Sequence, residues 1–199
     1  MGSLLLVVSG PSGGGKSTLI RSLLKRRPFH FSVSHTTRAP RPGEKEGREY
    51  YFVTKDEFQR MDKAGELLEW EEVHGNFYGT SKAEIQRLMA LEEDILLDLD
   101  VKGSLHLKRL FPRAVTLFVT PSRLIPLEER LLKRGEEEWK RRMASVKEIM
   151  AALPRFDYLI VNDDLADAEQ TIYSIVVAES HRAPEGKEGE AFLERFYQQ

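Results

Sequence analysis

The residues with the most chemical content stand near the start of the chain, in the run Gly10-Pro11-Ser12-Gly13-Gly14-Gly15-Lys16-Ser17. Its spacing is G-x-x-x-x-G-K-[ST], with an apolar run before it and a helical pattern after it. Glycines let successive backbone N–H groups turn inward as a nest for phosphate oxygens. A helix that follows adds the positive end of its dipole. Lys16 is placed to reach the β- and γ-phosphates of a nucleoside triphosphate, and the Ser17 hydroxyl to ligate Mg²⁺. Thr18 enters the first turn of the helix. A second candidate is Ile95-Leu96-Leu97-Asp98-Leu99-Asp100, an apolar strand ending in alternate aspartates. Alternation puts both carboxylates on one side of the strand. The carboxyl end of a strand is where an open α/β sheet presents its ligand crevice. Asp98 there fits a metal ligand, directly or through water, or simply a solvated aspartate. Loop and strand end together define a nucleotide-phosphate binder without naming its reaction.

Such groups need a sheet to carry them. Short apolar runs recur at Leu4–Val8, Ile95–Leu99, Val115–Val119 and Tyr158–Val161, as expected of strands buried on both faces of a parallel sheet. Helical patterns lie between them, over Lys16–Arg26, Ser81–Leu91, Leu124–Arg134, Trp139–Leu153 and Leu165–Arg182. Strand–helix alternation predicts an α/β domain of the P-loop NTPase type, a parallel sheet flanked by helices. Between the first two core strands the pattern changes. Tyr50–Val53 and Leu67–Val73 are β-like, Arg38–Arg48 reads as a loop, and Thr54 with Glu57 has capping-box spacing, as does Ser81 with Glu84. This predicts an inserted α+β subdomain. The expected division is a core of 3–32, 82–125 and 150–182, an inserted subdomain of about 33–81, a small helical lid of about 126–149, and a tail, 183–199, with some helical character over Ala191–Tyr197.

The 199 residues carry 30 Lys and Arg against 32 Asp and Glu, a net charge of −2. A general nucleic-acid binder would show a basic excess, so no nucleic-acid partner is expected. The absence of cysteine excludes a disulfide scaffold and a thiolate metal site. Leu4–Val8 is too short for a signal peptide, and no apolar stretch approaches the roughly 18 residues of a spanning helix. The expected location is cytoplasmic, without a membrane partner.

The remaining candidates cluster at Ser34-His35-Thr36-Thr37-Arg38-Ala39-Pro40-Arg41-Pro42-Gly43-Glu44. Arg38 and Arg41 sit three apart, with Pro40 stiffening the link. On their own they fit either two guanidiniums forking a phosphate dianion or a solvated basic loop. Here the chain resembles the guanylate kinase family, whose signature is S-x-T-T-R-x-P-R-x-G-E. The resemblance continues through Tyr50, Glu69, Gly75-Asn76-Phe77-Tyr78-Gly79-Thr80, Asp98-Leu99-Asp100 with Gly103, and Val161-Asn162-Asp163-Asp164. It runs from about Ser3 to Arg182. It implies that the γ-phosphate of ATP moves to GMP or dGMP, with Mg²⁺ accompanying ATP. It places Arg38, Arg41, Tyr50 and Tyr78 on the GMP phosphate and Glu69, Ser34, Thr80 and Asp100 on guanine. The polarity agrees, because a carboxylate accepts from both N1–H and the 2-amino group of guanine while adenine offers a lone pair at N1. It places Asn162 and Asp163 at the adenine of ATP, with a helix cap as the alternative reading for Asp164.

Arg130-Leu131-Leu132-Lys133-Arg134-Gly135 fits the family's lid pattern R-L-x-x-R-G, and Arg142 its later arginine. The resemblance makes Arg134 and Arg142, with Lys16 and Arg38, the catalytic cations that neutralise the transferring phosphoryl group. The chain departs from the pattern twice. The segment Glu136–Arg141 is shorter than usual, and Lys102 stands where the family usually has Gln. A non-catalytic scaffold module of similar fold would have lost phosphate-loop residues, whereas Gly15-Lys16-Ser17 is intact.

Overall fold

Leu6, Val7 and Val8 have no solvent exposure, as a strand covered on both faces requires. Successive residues of a strand point to opposite faces, and here they feed two cores. Leu6 and Val8 pack with Leu19, Ile20, Leu23, Ile172 and Val176. Val7 packs with Ile85, Leu88 and Leu107. Full burial of such side chains is worth about 1.5–3 kcal/mol each, so this strand is the anchor of the domain.

The computed structural model describes residues 3–73, 75–91, 93–132, 136–183 and 186–197. In chain order the strands are β1 (Leu5–Ser9), β2 (His30–Phe31), β3 (His35–Thr36), β4 (Tyr51–Phe52), β5 (Leu67–Val73), β6 (Asn76–Ser81), β7 (Ile95–Asp98), β8 (Val115–Thr120) and β9 (Tyr158–Val161). The helices are α1 (Lys16–Arg26), α2 (Lys55–Lys63), α3 (Lys82–Met89), α4 (Val101–Leu110), α5 (Leu124–Leu132), α6 (Glu136–Ala151), α7 (Leu165–Ser180) and α8 (Gly186–Tyr197). Among the described residues the main sheet has the order β2-β7-β1-β8-β9, and every pairing in it is parallel. β1 is paired with β7 on one side and β8 on the other, so the chain reverses its direction of travel across the sheet there. Open α/β sheets bind ligands beyond the carboxyl end of such a strand. This is the α/β architecture expected from the alternating pattern.

The second sheet, β4-β3-β6-β5, lies in sequence between β2 and β7. β5 and β6 form an antiparallel hairpin whose register sets Glu69 opposite Thr80. Phe58 and Met61 of α2 pack under it against Leu67 and Phe77. Thr54 and Ser81 cap α2 and α3, accepting from the backbone N–H of Glu57 and Glu84, as the spacing predicted.

Three features were not legible beforehand. β2 and β3 are two residues long, too short for any periodicity. β6 reads Asn-Phe-Tyr-Gly-Thr-Ser, without apolar alternation. Helix α4 divides its apolar residues between two cores, Leu107 in one and Val101 with Leu105 in another, so its sequence shows no single stripe. Some boundaries shift. The helix expected over Leu124–Arg134 runs Leu124–Leu132, with 133–135 outside the described residues, and the one expected from Trp139 begins at Glu136. In the tail the helix extends back to Gly186. Among the described residues no helix is long and apolar enough to cross a membrane.

Candidate active site

The chain leaves β1 at Gly10 with φ 131°, and a Cβ there would lie 2.1 Å from the Val119 carbonyl oxygen. Only glycine passes so close to β8. The loop closes when the Gly14 amide donates to the Pro11 carbonyl at 3.1 Å. Gly15, at φ 101°, starts α1 with no side-chain cap, which leaves the first N–H groups of the helix for a ligand. The Lys16 ammonium donates to the Gly10 carbonyl at 2.8 Å. Ser17 and Thr18 are exposed in the first helical turn, the Thr18 amide donating back to Gly15. Asp98 ends β7 in register with Val8. Burial pushes its carboxyl up from the ordinary carboxylate range, and the charge of Lys16 opposes that shift.

Two side chains hold this loop from behind. Asn162, buried just past β9, donates from its amide to the Gly14 carbonyl at 2.8 Å. A Cβ on Gly15 would lie 1.9 Å from that nitrogen. The resemblance implied a place for Asn162 at the adenine of ATP; its amide nitrogen also supplies the donor that the buried Gly14 carbonyl needs. Arg130 of α5 donates to the Gly13 carbonyl at 3.3 Å and the Asn162 carbonyl at 3.1 Å. Sequence reasoning quoted Arg130 within the lid pattern and gave it no role.

The Arg38 guanidinium is mostly buried and pairs with Glu44 at 3.0 Å. It also donates to the Ala39 carbonyl at 2.7 Å and lies 5.4 Å from the centre of the Tyr50 ring. Tyr50 meets Tyr78 edge to face, with ring centres 5.9 Å apart. Burial first, then the charge of Asp98, pushes the Tyr50 hydroxyl well above its ordinary value, so it is a donor at neutral pH. Glu44 also accepts from the Arg41 amide at 2.8 Å, bracing the segment that carries both arginines. Glu44 ends the signature segment, but its bracing role depends on the path of the loop.

Beyond this cationic and aromatic group, Glu69 accepts from the Thr80 hydroxyl at 2.6 Å. Burial, and then the charges of Asp100 and Glu71, push the Glu69 carboxyl up to about 7, with the Thr80 hydroxyl opposing. Ser34 is buried beside the cleft. Asp100 caps α4, accepting from the Gly103 amide at 2.7 Å, so one of its oxygens already has a partner. Lys102 pairs with Glu71 at 2.6 Å. Arg134 lies outside the described residues. The backbone of Arg142 belongs to α6, and its side chain lies outside them as well.

One cleft of about 1360 Å³ brings these groups together, from Lys16 and Ser17 through Asp98 to Arg38, Tyr78 and Glu69. A single small-molecule site takes roughly 300–1,000 Å³, so this cleft has room for a donor and an acceptor. Gly14, Thr80 and Asn162 stand behind its wall. A phosphate loop with Lys16 at one end, and Arg38, Arg41, Tyr50, Tyr78 and Glu69 lining the other, define a P-loop nucleoside-monophosphate kinase.

The family pattern described as guanylate kinase matches residues 3–179. The chain is 44% identical over 195 residues to the guanylate kinase of Symbiobacterium thermophilum, covering 96% of this chain and 92% of that one. It is 45% identical over 176 residues to that of Thiobacillus denitrificans, covering 86% and 84%. The crystal structure of guanylate kinase from Anaplasma phagocytophilum superposes with a TM-score of 0.70 at 32% identity, covering 91% of this chain and 88% of that one. The chain belongs to the guanylate kinase family, and it is an ATP:GMP phosphotransferase.

Proposed function

We propose that the cleft divides the guanylate kinase reaction between its two ends. ATP lies with its β- and γ-phosphates in the loop Gly10–Ser17, held by backbone N–H groups and Lys16. GMP, or dGMP, lies with its phosphate against Arg38, Arg41, Tyr50 and Tyr78, and its base against Glu69, Ser34 and Asp100, with Thr80 serving the base through Glu69 from behind the wall. An oxygen of the GMP phosphate forms the new P–O bond as the bond from the γ-phosphorus to the bridging oxygen breaks. ADP leaves with that electron pair.

Phosphoryl transfer asks a protein chiefly to position two anions and neutralise the charge between them. Lys16 and Arg38 face that charge from opposite sides, and Arg134 and Arg142 supply the lid cations. Mg²⁺ fits the donor set of the Ser17 hydroxyl and the Asp98 carboxylate, the latter directly or through water. Among the described residues no three acidic or histidine side chains form an all-protein metal cage, and Mg²⁺ ordinarily takes few protein ligands besides nucleotide phosphates. When bound it supplies charge neutralisation on the β- and γ-phosphates. The deprotonated phosphate of GMP is itself the nucleophile, so no general base is assigned.

The carrying observation is the single cleft that contains Lys16 at one end and Arg38, Tyr78 and Glu69 at the other. The test is ADP release with Mg-ATP against GMP, dGMP, AMP, CMP and UMP. GMP and dGMP should turn over, and AMP should be rejected by roughly 10⁴-fold, because adenine leaves the polar groups of the site unpaired. Glu69→Gln should lower kcat/KM for GMP by about 10²-fold, near 3 kcal/mol, with ATP binding unchanged. Equal use of AMP and GMP, or an unaffected Glu69→Gln enzyme, would remove Glu69 from the base site.

A further inference from the structure

Gly103 occupies the third position of α4, after the cap Asp100. It is buried, and its φ lies outside the left-handed region, so the backbone does not ask for glycine. A helix interior ordinarily disfavours it. What asks for it is the space above it. A Cβ built there would stand 2.6 Å from Oε2 of Glu69, 3.2 Å from the Glu69 carboxyl carbon and 3.3 Å from Oδ1 of Asp100. The three nearest atoms all belong to two carboxyl groups, and none belongs to the hydrophobic core.

We propose that Gly103 is the seat of Glu69: the missing side chain lets a carboxylate carried by β5 rest on the first turn of α4. This rests on the reading of Glu69 as the guanine acceptor. The seat has two walls. On one side Oε1 of Glu69 takes the Thr80 hydroxyl at 2.6 Å, and Thr80 is fully buried in the strand paired with β5. On the other side Oε2 lies over Gly103. An alanine methyl needs about 3.4 Å of separation, so the carboxylate would have to move by about 0.8 Å. Asp100, tied to the Gly103 amide, stands 3.3 Å from the same Cβ position. A displaced carboxylate would be drawn off the Thr80 hydroxyl or into the space of the base. The position makes Gly103 a positioning residue for guanine recognition, acting through Glu69. It explains how a long, flexible side chain can present both oxygens at fixed places.

The experiment is Gly103→Ala, made alone and in a Glu69→Ala background, with KM for GMP and ATP, kcat, and melting temperature measured for each. Alone, the substitution should raise KM for GMP about tenfold or more, since misplacement by a fraction of an ångström is enough to cost that much. KM for ATP should stay within twofold, and the protein should keep its circular dichroism and a cooperative melt. In the Glu69→Ala background, where no carboxylate remains to be displaced, Gly103→Ala should change kcat/KM for GMP by less than about twofold. An unchanged KM for GMP in Gly103→Ala would overturn the proposal. So would full additivity of the two substitutions, or a joint rise of both KM values with a lower melting temperature. If Gly103→Ala fails to fold, Glu69→Ala/Gly103→Ala should still fold, and its failure would also overturn it. If Glu69→Ala alone leaves KM for GMP unchanged, the reading of Glu69 fails instead.

Discussion

Acidification from pH 8 to pH 6 should weaken the hold on GMP through one carboxyl group, Glu69. Its burial, with Asp100 and Glu71 nearby, raises it to about 7. Only the ionised form accepts at both oxygens. A group with that midpoint is almost fully ionised at pH 8, about half at pH 7 and about one tenth at pH 6. The GMP phosphate has its own ionisation near pH 6, so the useful quantity is the ratio of wild-type kcat/KM to that of Glu69→Gln. The variant keeps the phosphate step and lacks the carboxyl. The ratio should fall about tenfold from pH 8 to pH 6, and kcat, which reports the bound complex, should change at lower pH than kcat/KM. Stability follows the opposite course. The folded protein holds this proton more tightly than the unfolded chain, whose carboxyl titrates near 4.5. The resulting stabilisation is complete below that value and is lost as pH rises through about 7. The melting temperature of wild type relative to Glu69→Gln should therefore be higher at pH 6 than at pH 8. A ratio of kcat/KM that stays flat between pH 6 and pH 8 would refute the reasoning.

Lys16→Ala should keep its circular dichroism and lose roughly 10²–10³-fold in kcat, because the fixed cation at the β- and γ-phosphates is gone; a folded variant retaining most of its activity would contradict the assignment. Glu44→Ala releases Arg38 and the Arg41 amide from their shared brace, and KM for GMP should rise about tenfold with KM for ATP unchanged. Identical kinetics to wild type would show that Arg38 is held without it. Asn162→Ala leaves the Gly14 carbonyl without its donor, at a cost of about 1–3 kcal/mol. Thermal melting and titration with ATP should both show the loss, and a variant unchanged in both would contradict the locking role of Asn162.

What could be read from the chain beforehand depended on how local each interaction is. The phosphate loop is contiguous, its glycines acting through backbone and its lysine and serine through side chains a residue or two away, so its spacing alone carried the chemistry. Thr54 and Ser81 cap the helices that begin next to them, again locally. Glu69 is different. Taken alone it is an acidic residue beside Trp70 in a partly exposed strand, and its meaning comes from Thr80 across a hairpin and Gly103 on another element. Only the resemblance singled it out. Arg130 follows the same rule, since it acts on Gly13 and Asn162, which the fold brings to it. Asn162 belongs with them, because its bond to the Gly14 carbonyl, 148 residues away, could not be read from its neighbours in the chain.

The arrangement of charge along the cleft then has a consequence that no single residue carries. The phosphate end is cationic, with Lys16, Arg38 and Arg41. The other end carries Glu69, Glu71 and Asp100, with Lys102 paired to Glu71. A GMP entering with its base toward the loop would exchange Arg38 and Arg41 for these carboxylates, so the placement of charge favours the phosphate at the cationic end. Burial first, and then these neighbouring carboxylates, raise the Glu69 carboxyl and make it the weak point of the site on the acid side. The room that Gly103 leaves at the first turn of α4 lies beside both Glu69 and Asp100, so this one turn bears on the charge of the site as well as on its shape.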